Sequence, residues 1–151
     1  MRLFDIRYLV ADAGYGKDRN SALLKAFPGR VWSCWYPVME KTSKVFEPQW
    51  QDQEHKVTVD RTTSLKLAAR SFREHEVVLC DLRRLEIWRT FLSHLTNLAA
   101  SKEQDDETGE IIETIKPTGP DHLVHAYNYL WTAFTGKLLR PGGRTFIFFL
   151  G

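Results

Sequence analysis

Two aspartates, Asp12 and Asp121, are the residues of this chain whose types and settings best suit catalytic chemistry. Asp12 ends the apolar run Tyr8–Ala11 and is followed by a glycine-rich turn, whereas Asp121 stands at the start of a helix-like stretch. Carboxylate oxygens are ligands that Mg²⁺ and Mn²⁺ prefer, and two such cations about 4 Å apart promote phosphodiester hydrolysis. The pair therefore predicts a divalent metal site, which normally requires a third acid.

The turn after Asp12 is suited to contact with a phosphate backbone. A carboxylate at the end of a parallel strand points into the crevice where α/β sheets bind ligands. Gly14 and Gly16 lack a Cβ and would allow close approach, and Lys17 and Arg19 are candidates for contact with the scissile phosphate. A solvated helix start is the simpler alternative for the two basic residues.

Two histidines follow the second aspartate. His122 is its neighbour, and His125 lies one helical turn after Asp121 on the same helix face. We predict that both histidines support the metal site without binding the cation. Zinc coordination by Asp121, His122 and His125 is an alternative that lacks an evident fourth ligand. His125 could also be a hydrogen-bonded core histidine.

Simpler roles are open for both aspartates. The pattern Asp-x-Gly at Asp12 is common in turns. Asp121 could serve only as the N-cap of the following helix, because aspartate is a favoured capping residue. Capping is compatible with metal binding, since a cap would fix the position of the carboxylate.

Composition fits one soluble domain. The chain has 151 residues, 43% of them hydrophobic and 26% charged, and its net charge of +2 is low for a dedicated non-specific DNA-binding protein. Residues 102–113 are acidic, so the remainder is more basic than the total indicates. Scattered basic residues usually form only a solvated face, but some could face DNA. The candidates are Lys41, Lys44, Lys56, Arg61, Lys66, Arg70 and Arg73.

Several other classes of protein are poorly supported. The chain has no GxSxG nucleophile motif, no GxxxxGK(S/T) nucleotide-binding loop and no CxxC pair. Cys34 and Cys80 each lie in an apolar run, which predicts buried, reduced thiols. Asp5 and Arg7 interrupt the first apolar stretch, and no run is long enough to span a membrane. We therefore expect a cytoplasmic protein that makes no membrane contact.

An alternation of strands and helices must position the aspartates. A strand at 3–11, a helix at 22–27 after capping residues at 18–21, and a strand at 30–36 predict a parallel βαβ unit. Residues 37–54 are polar and predict irregular structure. The later elements are predicted as a strand at 56–60, a helix from the capping residues 62–64 to 73, a strand at 77–80, a helix at 85–95, a β-hairpin or a disordered loop over 95–116, and a helix at 122–134. We expect one α/β domain over 1–136 and a tail at 137–151.

Three segments resemble the C-terminal nuclease domain of the large terminase subunits of tailed phages. They are residues 12–20, 31–37 and 116–129. The resemblance implies a ribonuclease H-like fold, a mixed sheet flanked by helices, and a Mg²⁺- or Mn²⁺-dependent endonuclease that cuts concatemeric double-stranded DNA during packaging. It matches Asp12 to the second acid of the family and Asp121 to the third. The hairpin near 95–116 matches an insertion that is associated with DNA access.

The sequence departs from the family pattern at the first acid. In the family that acid lies on an earlier strand, which precedes the part present here, and the N-terminal ATPase motor is missing too. Asp5 is no replacement, because it lies about 23 Å from Asp12 along the same strand, on the opposite face. We therefore expect a fragment, half of a split terminase or a remnant.

We therefore also expect the chain to associate with a partner, because proteins usually cover an exposed sheet edge. The expected partners are the missing terminase portion or another copy, with the small terminase subunit and the portal in the cytoplasm of an infected bacterial cell. The alternative to a nuclease is a non-catalytic DNA-binding or assembly module that kept the fold and lacks the first acid. Another ribonuclease H-like enzyme, such as a junction resolvase, is a third interpretation.

Overall fold

The computed structural model describes residues 8–14, 17–37, 47–77, 84–104, 106 and 108–138. The strands are β1 (Leu9–Asp12), β2 (Val31–Trp35), β3 (Gln49–Gln51), β4 (Lys56–Thr58), β5 (Leu98–Gln104) and β6 (Ile111–Pro117). The α-helices are α1 (Lys17–Ala26), α2 (Arg61–Arg73), α3 (Glu86–Thr96) and α4 (His122–Ala133). A 3₁₀ turn spans Asp52–Glu54, and a π-helical turn spans Phe134–Leu138.

Four strands form one mixed sheet in the order β1-β2-β4-β3. β1, β2 and β4 are parallel, whereas β3 is antiparallel to β4. A mixed sheet flanked by helices confirms the predicted α/β class at that level. β3 falls within the segment 37–54, which was predicted to be irregular, and the prediction is wrong there because a three-residue strand with two glutamines carries little pattern.

Parallel pairing brings the carboxyl ends of β1, β2 and β4 to one edge of the sheet. Asp12, the last residue of β1, is opposite Cys34 of β2. Tyr36 follows the end of β2, and Arg61 begins α2 shortly after β4. Side chains from three strand ends therefore meet where α/β sheets place their ligands.

The core lies between the sheet and α4. Its buried members are Val10, Trp32, Cys34, Val57, Val59, Tyr129 and Ala133. The last two belong to α4, which is in contact with β1. Burial of such side chains stabilises the fold by about 1.5–3 kcal/mol for each large apolar residue. The last helix of the described chain therefore closes the core over its first strand.

Aromatic rings join α2, α3 and α4. The ring of Tyr127 in α4 lies 4.4 Å from that of Phe72 in α2, and its hydroxyl is 2.7 Å from Ser71 Oγ. Phe91 of α3 contacts both rings, with centroids 6.0 Å from Phe72 and 6.2 Å from Tyr127. No residue of α3 is fully buried, and the Phe91 ring is one of its contacts with the domain.

The hairpin predicted over 95–116 is present. β5 and β6 form a separate antiparallel pair in which Leu98 is opposite Pro117 and Gln104 is opposite Ile111. The strands extend further towards the tip than predicted, because charged residues of β5 and β6 face solvent while still pairing through their backbones. Ile111 at the tip is 72% exposed.

The start of α1 differs from the prediction. The helix begins at Lys17, well before the predicted start, and residues 18–21 lie inside it instead of capping it. Its first turn has no apolar residue, so the hydrophobic pattern of the sequence does not indicate a helix there. Asn20 turns inward, is 9% exposed, and donates its side-chain amide to the backbone carbonyl of Asp12 at 2.6 Å.

Other predicted boundaries also shift. α2 is capped by Asp60, whose Oδ1 accepts from the backbone N–H of Thr63 at 2.6 Å, so the cap lies before residues 62–64. β4 consequently ends at Thr58. The predicted strand at 77–80 lies outside the described residues beyond Val77. Within the described part of the chain, no helix has the length and apolar character needed to cross a membrane.

The residue at the predicted start of the tail packs onto the sheet. The ammonium of Lys137 lies 5.3 Å from the ring centre of Trp32 and 4.9 Å from that of Trp50, at cation–π distance. Gly136 approaches Trp50 so closely that an added Cβ would stand 2.4 Å from the indole nitrogen. The π-helical turn therefore anchors to the sheet, and the tail after residue 138 lies outside the description.

Candidate active site

Both predicted acids line one cleft of about 440 Å³ at the carboxyl edge of the sheet. Asp12 comes from the end of β1 and Asp121 from the start of α4, and packing of α4 on the sheet brings them to the same cavity. The lining residues are Asp12, Tyr36, Arg61, Asp121, His122, His125, Ala126 and Tyr129. The cleft thus combines two carboxylates, one guanidinium, two imidazoles and two phenols.

Asp12 is held by the turn that follows it. Its Oδ1 accepts the backbone N–H of Gly14 at 2.7 Å, and its carbonyl accepts from Asn20. The Asp-x-Gly turn predicted as a simpler role is therefore formed, and it still leaves the carboxylate on the cleft. An added Cβ at Gly14 would stand 3.3 Å from Asp12 Oδ1, so glycine keeps the turn close to this acid.

Asp121 occupies the N-cap position of α4, but its side chain makes no capping hydrogen bond. The backbone N–H of Leu123, which a cap would satisfy, donates instead to Nδ1 of His94 at 3.1 Å. His94 belongs to α3, so a neighbouring helix supplies the acceptor. The prediction that capping fixes the Asp121 carboxylate is therefore wrong. The carboxylate turns to His125, whose Nε2 lies 3.1 Å from Asp121 Oδ2.

Arg61 supplies the positive charge of the cleft. Its Nη2 lies 3.6 Å from Asp121 Oδ2 and 3.4 Å from His125 Nε2, and its Nη1 donates to the backbone carbonyl of Ile115 in β6. The side chain is 31% exposed, so it is partly shielded from solvent. The sequence had assigned Arg61 to a scattered basic surface, yet it connects the hairpin to the acid.

His125 lies between an acid and a phenol. The Tyr36 hydroxyl is 3.1 Å from its Nδ1, opposite the nitrogen that faces Asp121. Burial lowers the pKa of His125, and the positive charge of Arg61 lowers it further, whereas the Asp121 carboxylate opposes both effects. Burial and Arg61 therefore favour the neutral imidazole, which has one donor and one acceptor nitrogen.

Two tyrosines form the buried wall of the cleft. The ring of Tyr36 lies 5.7 Å from that of Tyr129, and burial raises the pKa of both phenols. Asn128 donates from Nδ2 to the Tyr36 hydroxyl at 3.0 Å. The phenols are therefore neutral hydrogen-bonding groups at physiological pH and carry no negative charge into the cleft.

Each of the two acids keeps one oxygen free of the hydrogen bonds described above. Among the described residues, no hydrogen bond is made to Asp12 Oδ2 or Asp121 Oδ1, so each carboxylate retains an oxygen for a metal. Groups of three or more His, Cys, Asp or Glu side chains placed to hold a metal do not occur within the described ranges. A two-cation site would need a further acid from elsewhere.

The other predicted site residues have different settings. His122 lines the cleft, is exposed, and lies edge-on to His94 with ring centroids 6.2 Å apart. Gly14 is exposed beside Asp12, and Arg19 is exposed on α1 without lining the cleft. Gly16 and the side chain of Lys17 lie outside the described residues.

Most of the predicted basic surface is engaged within the chain. Lys66 pairs with Glu113 of the hairpin at 2.6 Å, and Arg70 pairs with Glu74 at 2.6 Å. Lys56 lies 5.7 Å from the ring centre of Trp35. Lys41 and Lys44, like Cys80, fall outside the described residues.

The sequence analysis gave no role in the site to Tyr36, Asn128 or Tyr129. Asn128 carried a usable signal, because it lies three residues after His125 and is a polar residue on an otherwise apolar part of α4. Tyr36 carried none, since a tyrosine after a strand is ordinary. Its role depends on a contact between residues 89 positions apart.

Comparisons with known proteins found no matching family model, no matching curated protein and no matching solved structure. The resemblance to terminase nuclease domains is therefore carried by the residues alone. The function has to be argued from the chemistry of the cleft.

Proposed function

We propose that the chain is a divalent-metal-dependent DNA endonuclease domain of a viral packaging terminase, with a ribonuclease H-like fold. The observation that carries this proposal is that Asp12 and Asp121, distant in sequence, line one cleft at the carboxyl edge of parallel strands. The strand order β1-β2-β4, with α1 connecting β1 to β2, supports the assignment of the fold.

The chain's own residues would divide the work between metal and phosphate. Asp12 Oδ2 and Asp121 Oδ1 would hold a Mg²⁺ or Mn²⁺ ion, which would supply the Lewis-acid chemistry of phosphodiester hydrolysis. Arg61, whose Nη2 lies 3.6 Å from Asp121 Oδ2, would contact the phosphate of the DNA. His125 would keep Asp121 in place.

Charge explains why a metal would be required before DNA. Two carboxylates and one guanidinium leave the lining with an excess of negative charge, which repels a phosphate backbone. A bound divalent cation reverses that balance. Chelation by EDTA should therefore weaken both DNA binding in the cleft and cleavage.

The remaining ligands would come from partners. The first acid of a two-cation site would come from another portion of the terminase, which would also carry the ATPase motor, and the small terminase subunit and the portal would complete the proposed assembly in an infected bacterial cytoplasm. Among the described strands, β1 is an edge strand, which supports association there. This expectation would be contradicted if analytical ultracentrifugation showed only free monomer, both for the chain alone and after the proposed partners are added.

The second candidate is a non-catalytic DNA-binding or assembly module. It is favoured by one observation, the lack of a third acid or histidine in position to complete a metal site among the described residues. Such a module should bind DNA equally well with or without a divalent cation.

A plasmid-nicking assay separates the two candidates. The wild-type chain, Asp12→Asn and Asp121→Asn are each incubated with Mn²⁺, Mg²⁺ or EDTA, and Asp18→Asn serves as control because Asp18 is an exposed aspartate of α1 away from the cleft. We expect nicking with Mn²⁺ that is lost in both cleft variants and kept in the control. Metal-independent gel shifts without nicking would favour the module.

A further inference from the structure

The turn that follows α4 places a lysine ammonium against two tryptophan rings. Lys137 Nζ lies 4.9 Å from the ring centre of Trp50 and 5.3 Å from that of Trp32. The two rings meet edge to face, at 86° with centroids 5.7 Å apart. Both ammonium distances lie within the range over which an aromatic ring attracts a cation. The two indoles therefore form adjoining walls of one site, and the ammonium occupies it.

A carboxylate completes this site. Lys137 Nζ donates a hydrogen bond to Asp52 Oδ1. The Lys137 side chain is 21% exposed and that of Asp52 is 69% exposed, so the carboxylate lies on the solvent side of the ammonium. The hydrogen bond from Lys137 is the main cause that lowers the pKa of Asp52, which keeps this group ionised at neutral pH.

The walls of the site do not depend on the lysine. Trp32 is 4% exposed and belongs to the core between the sheet and α4, and the half-buried Trp50 packs against that core. His55 also packs edge-on against Trp32, with centroids 6.1 Å apart. The rings would therefore keep their places if Lys137 withdrew. These residues and Asp52 are absent from the lining of the cleft, so the site is separate from it.

We propose that Trp32, Trp50 and Asp52 form a binding site for a primary alkylammonium group, which Lys137 fills as an internal ligand. The rings attract any cation, whereas the carboxylate accepts an N–H, so an ammonium that carries N–H groups is favoured over a quaternary one. The external ligand is a lysine side chain of a partner protein or a free alkylamine. Its entry displaces Lys137 and frees the turn after α4 from the sheet. This site is independent of the proposed nuclease function.

The test uses the full chain with Lys137→Ala and butylammonium, which reproduces the four-carbon stem and the ammonium of lysine. Binding is followed through the indole N–H signals of Trp32 and Trp50 in ¹H–¹⁵N NMR. We expect saturable shifts of both signals in Lys137→Ala. Wild type should bind butylammonium about tenfold more weakly or less, because a lysine held by its own backbone competes at a high effective concentration.

Two controls separate this site from general effects of charge and of apolar ligands. Butanol has the length of butylammonium without the charge and should not bind. Lys66→Ala also removes a lysine from a carboxylate, that of Glu113, but within the described ranges Lys66 has no tryptophan ring at cation–π distance. This variant should respond as wild type does. The proposal is overturned if Lys137→Ala gives no saturable shift, if butanol shifts the signals equally, or if Lys66→Ala responds as Lys137→Ala does.

Further substitutions in the Lys137→Ala chain test the role of each wall. Trp50→Leu removes one cation–π contact and should weaken butylammonium binding by about two- to fivefold. Asp52→Asn should abolish the preference for butylammonium over tetramethylammonium. Unchanged affinity in the first variant or an unchanged preference in the second contradicts the proposal. If Lys137→Ala is unfolded by itself, butylammonium and not butanol should restore its circular dichroism spectrum, and failure to do so also overturns the proposal.

A last comparison distinguishes the two sources of the ligand. The peptide acetyl-Gly-Lys-Gly-amide presents the same ammonium on a protein backbone. Tighter binding of this peptide than of butylammonium to Lys137→Ala assigns the site to a lysine of a partner protein. Equal or weaker binding assigns it to a free alkylamine. Binding of neither ligand overturns the proposal.

Discussion

At the scale of single residues, Arg61 and Asp121 form the central pair of the cleft. Their separation of 3.6 Å is an ion pair without a short hydrogen bond, because the guanidinium is also directed to the Ile115 carbonyl. Arg61 therefore neutralises part of the acid's charge. In the proposed nuclease, the same guanidinium would contact a phosphate of the DNA.

Substitution of Arg61 should have opposite effects on metal and DNA. Arg61→Gln removes a positive charge beside the metal ligand, so Mn²⁺ should bind more tightly, by about 1 kcal/mol or about fivefold for a partly exposed charge. DNA binding in the presence of Ca²⁺ should weaken. Mn²⁺ titration and gel shifts measure the two effects.

The control for this prediction is Arg70→Gln. Arg70 lies on the same helix, and its partner Glu74 is exposed and outside the cleft lining. This variant should change neither affinity. Weaker Mn²⁺ binding in Arg61→Gln would contradict the prediction, since it would mean that the arginine supports the metal site.

At the scale of elements, the notable contact is between α3 and the start of α4. His94 of α3 accepts the Leu123 N–H, a bond that normally comes from the N-cap side chain. Because His94 takes the place of an N-cap side chain, the Asp121 carboxylate is not used to cap α4. The geometry of the cleft therefore depends on the docking of α3, whose Phe91 also packs against Phe72 and Tyr127.

Loss of the His94 side chain should affect stability and metal binding together. His94→Ala leaves the Leu123 N–H without its acceptor, which should lower the free energy of unfolding by about 1 kcal/mol. Asp121 is the nearest residue able to cap α4, so its carboxylate should turn from His125 and Mn²⁺ affinity should fall. Urea unfolding and Mn²⁺ titration test this.

Ser93→Ala is a suitable comparison, because Ser93 is exposed on the same helix and alanine favours helix formation. It should leave Mn²⁺ affinity as in wild type. If His94→Ala lowers stability but keeps full Mn²⁺ affinity, then Asp121 does not move to the cap.

The sequence predicted much of this arrangement and missed a definite part of it. Asp12 and Asp121 could be found because each stands where a hydrophobic pattern changes into a turn or a helix. The bonds of Tyr36 to His125 and to Asn128 span 89 and 92 positions, and they arise from packing of α4 beside β2. No local pattern encodes such contacts, and the same reason explains why His94 was missed as a cap.

At the scale of the whole molecule, the core joins the two ends of the described chain. Val10 of β1 and Ala133 at the end of α4 belong to the same buried cluster, which also contains Cys34. Burial, with the negative charge of Asp12 as a smaller cause, raises the pKa of the Cys34 thiol from 9.0 to about 12. Burial likewise raises the pKa of Tyr127 from 10.0 to about 12.

These two pKa shifts predict how global stability depends on pH. Both groups ionise more readily in the unfolded chain, so their contribution is complete below about pH 9 and is lost as the pH rises towards about 12. Urea unfolding at several pH values should show a decline across that window. Cys34→Ala should flatten its lower part, and a wild-type profile that is level from pH 9 to 12 would contradict the prediction.

The packing of α4 against β1 also has a consequence for synthesis on the ribosome. Contacts between distant parts of a chain form late, because the intervening residues must first be made and the loop closed. Asp12 leaves the ribosome long before its counterpart Asp121, and α4 can dock on β1 only when residues up to Ala133 are free. A nascent chain that has not yet released α4 carries no assembled acid pair, so the proposed cleavage activity would begin only after Ala133 has emerged.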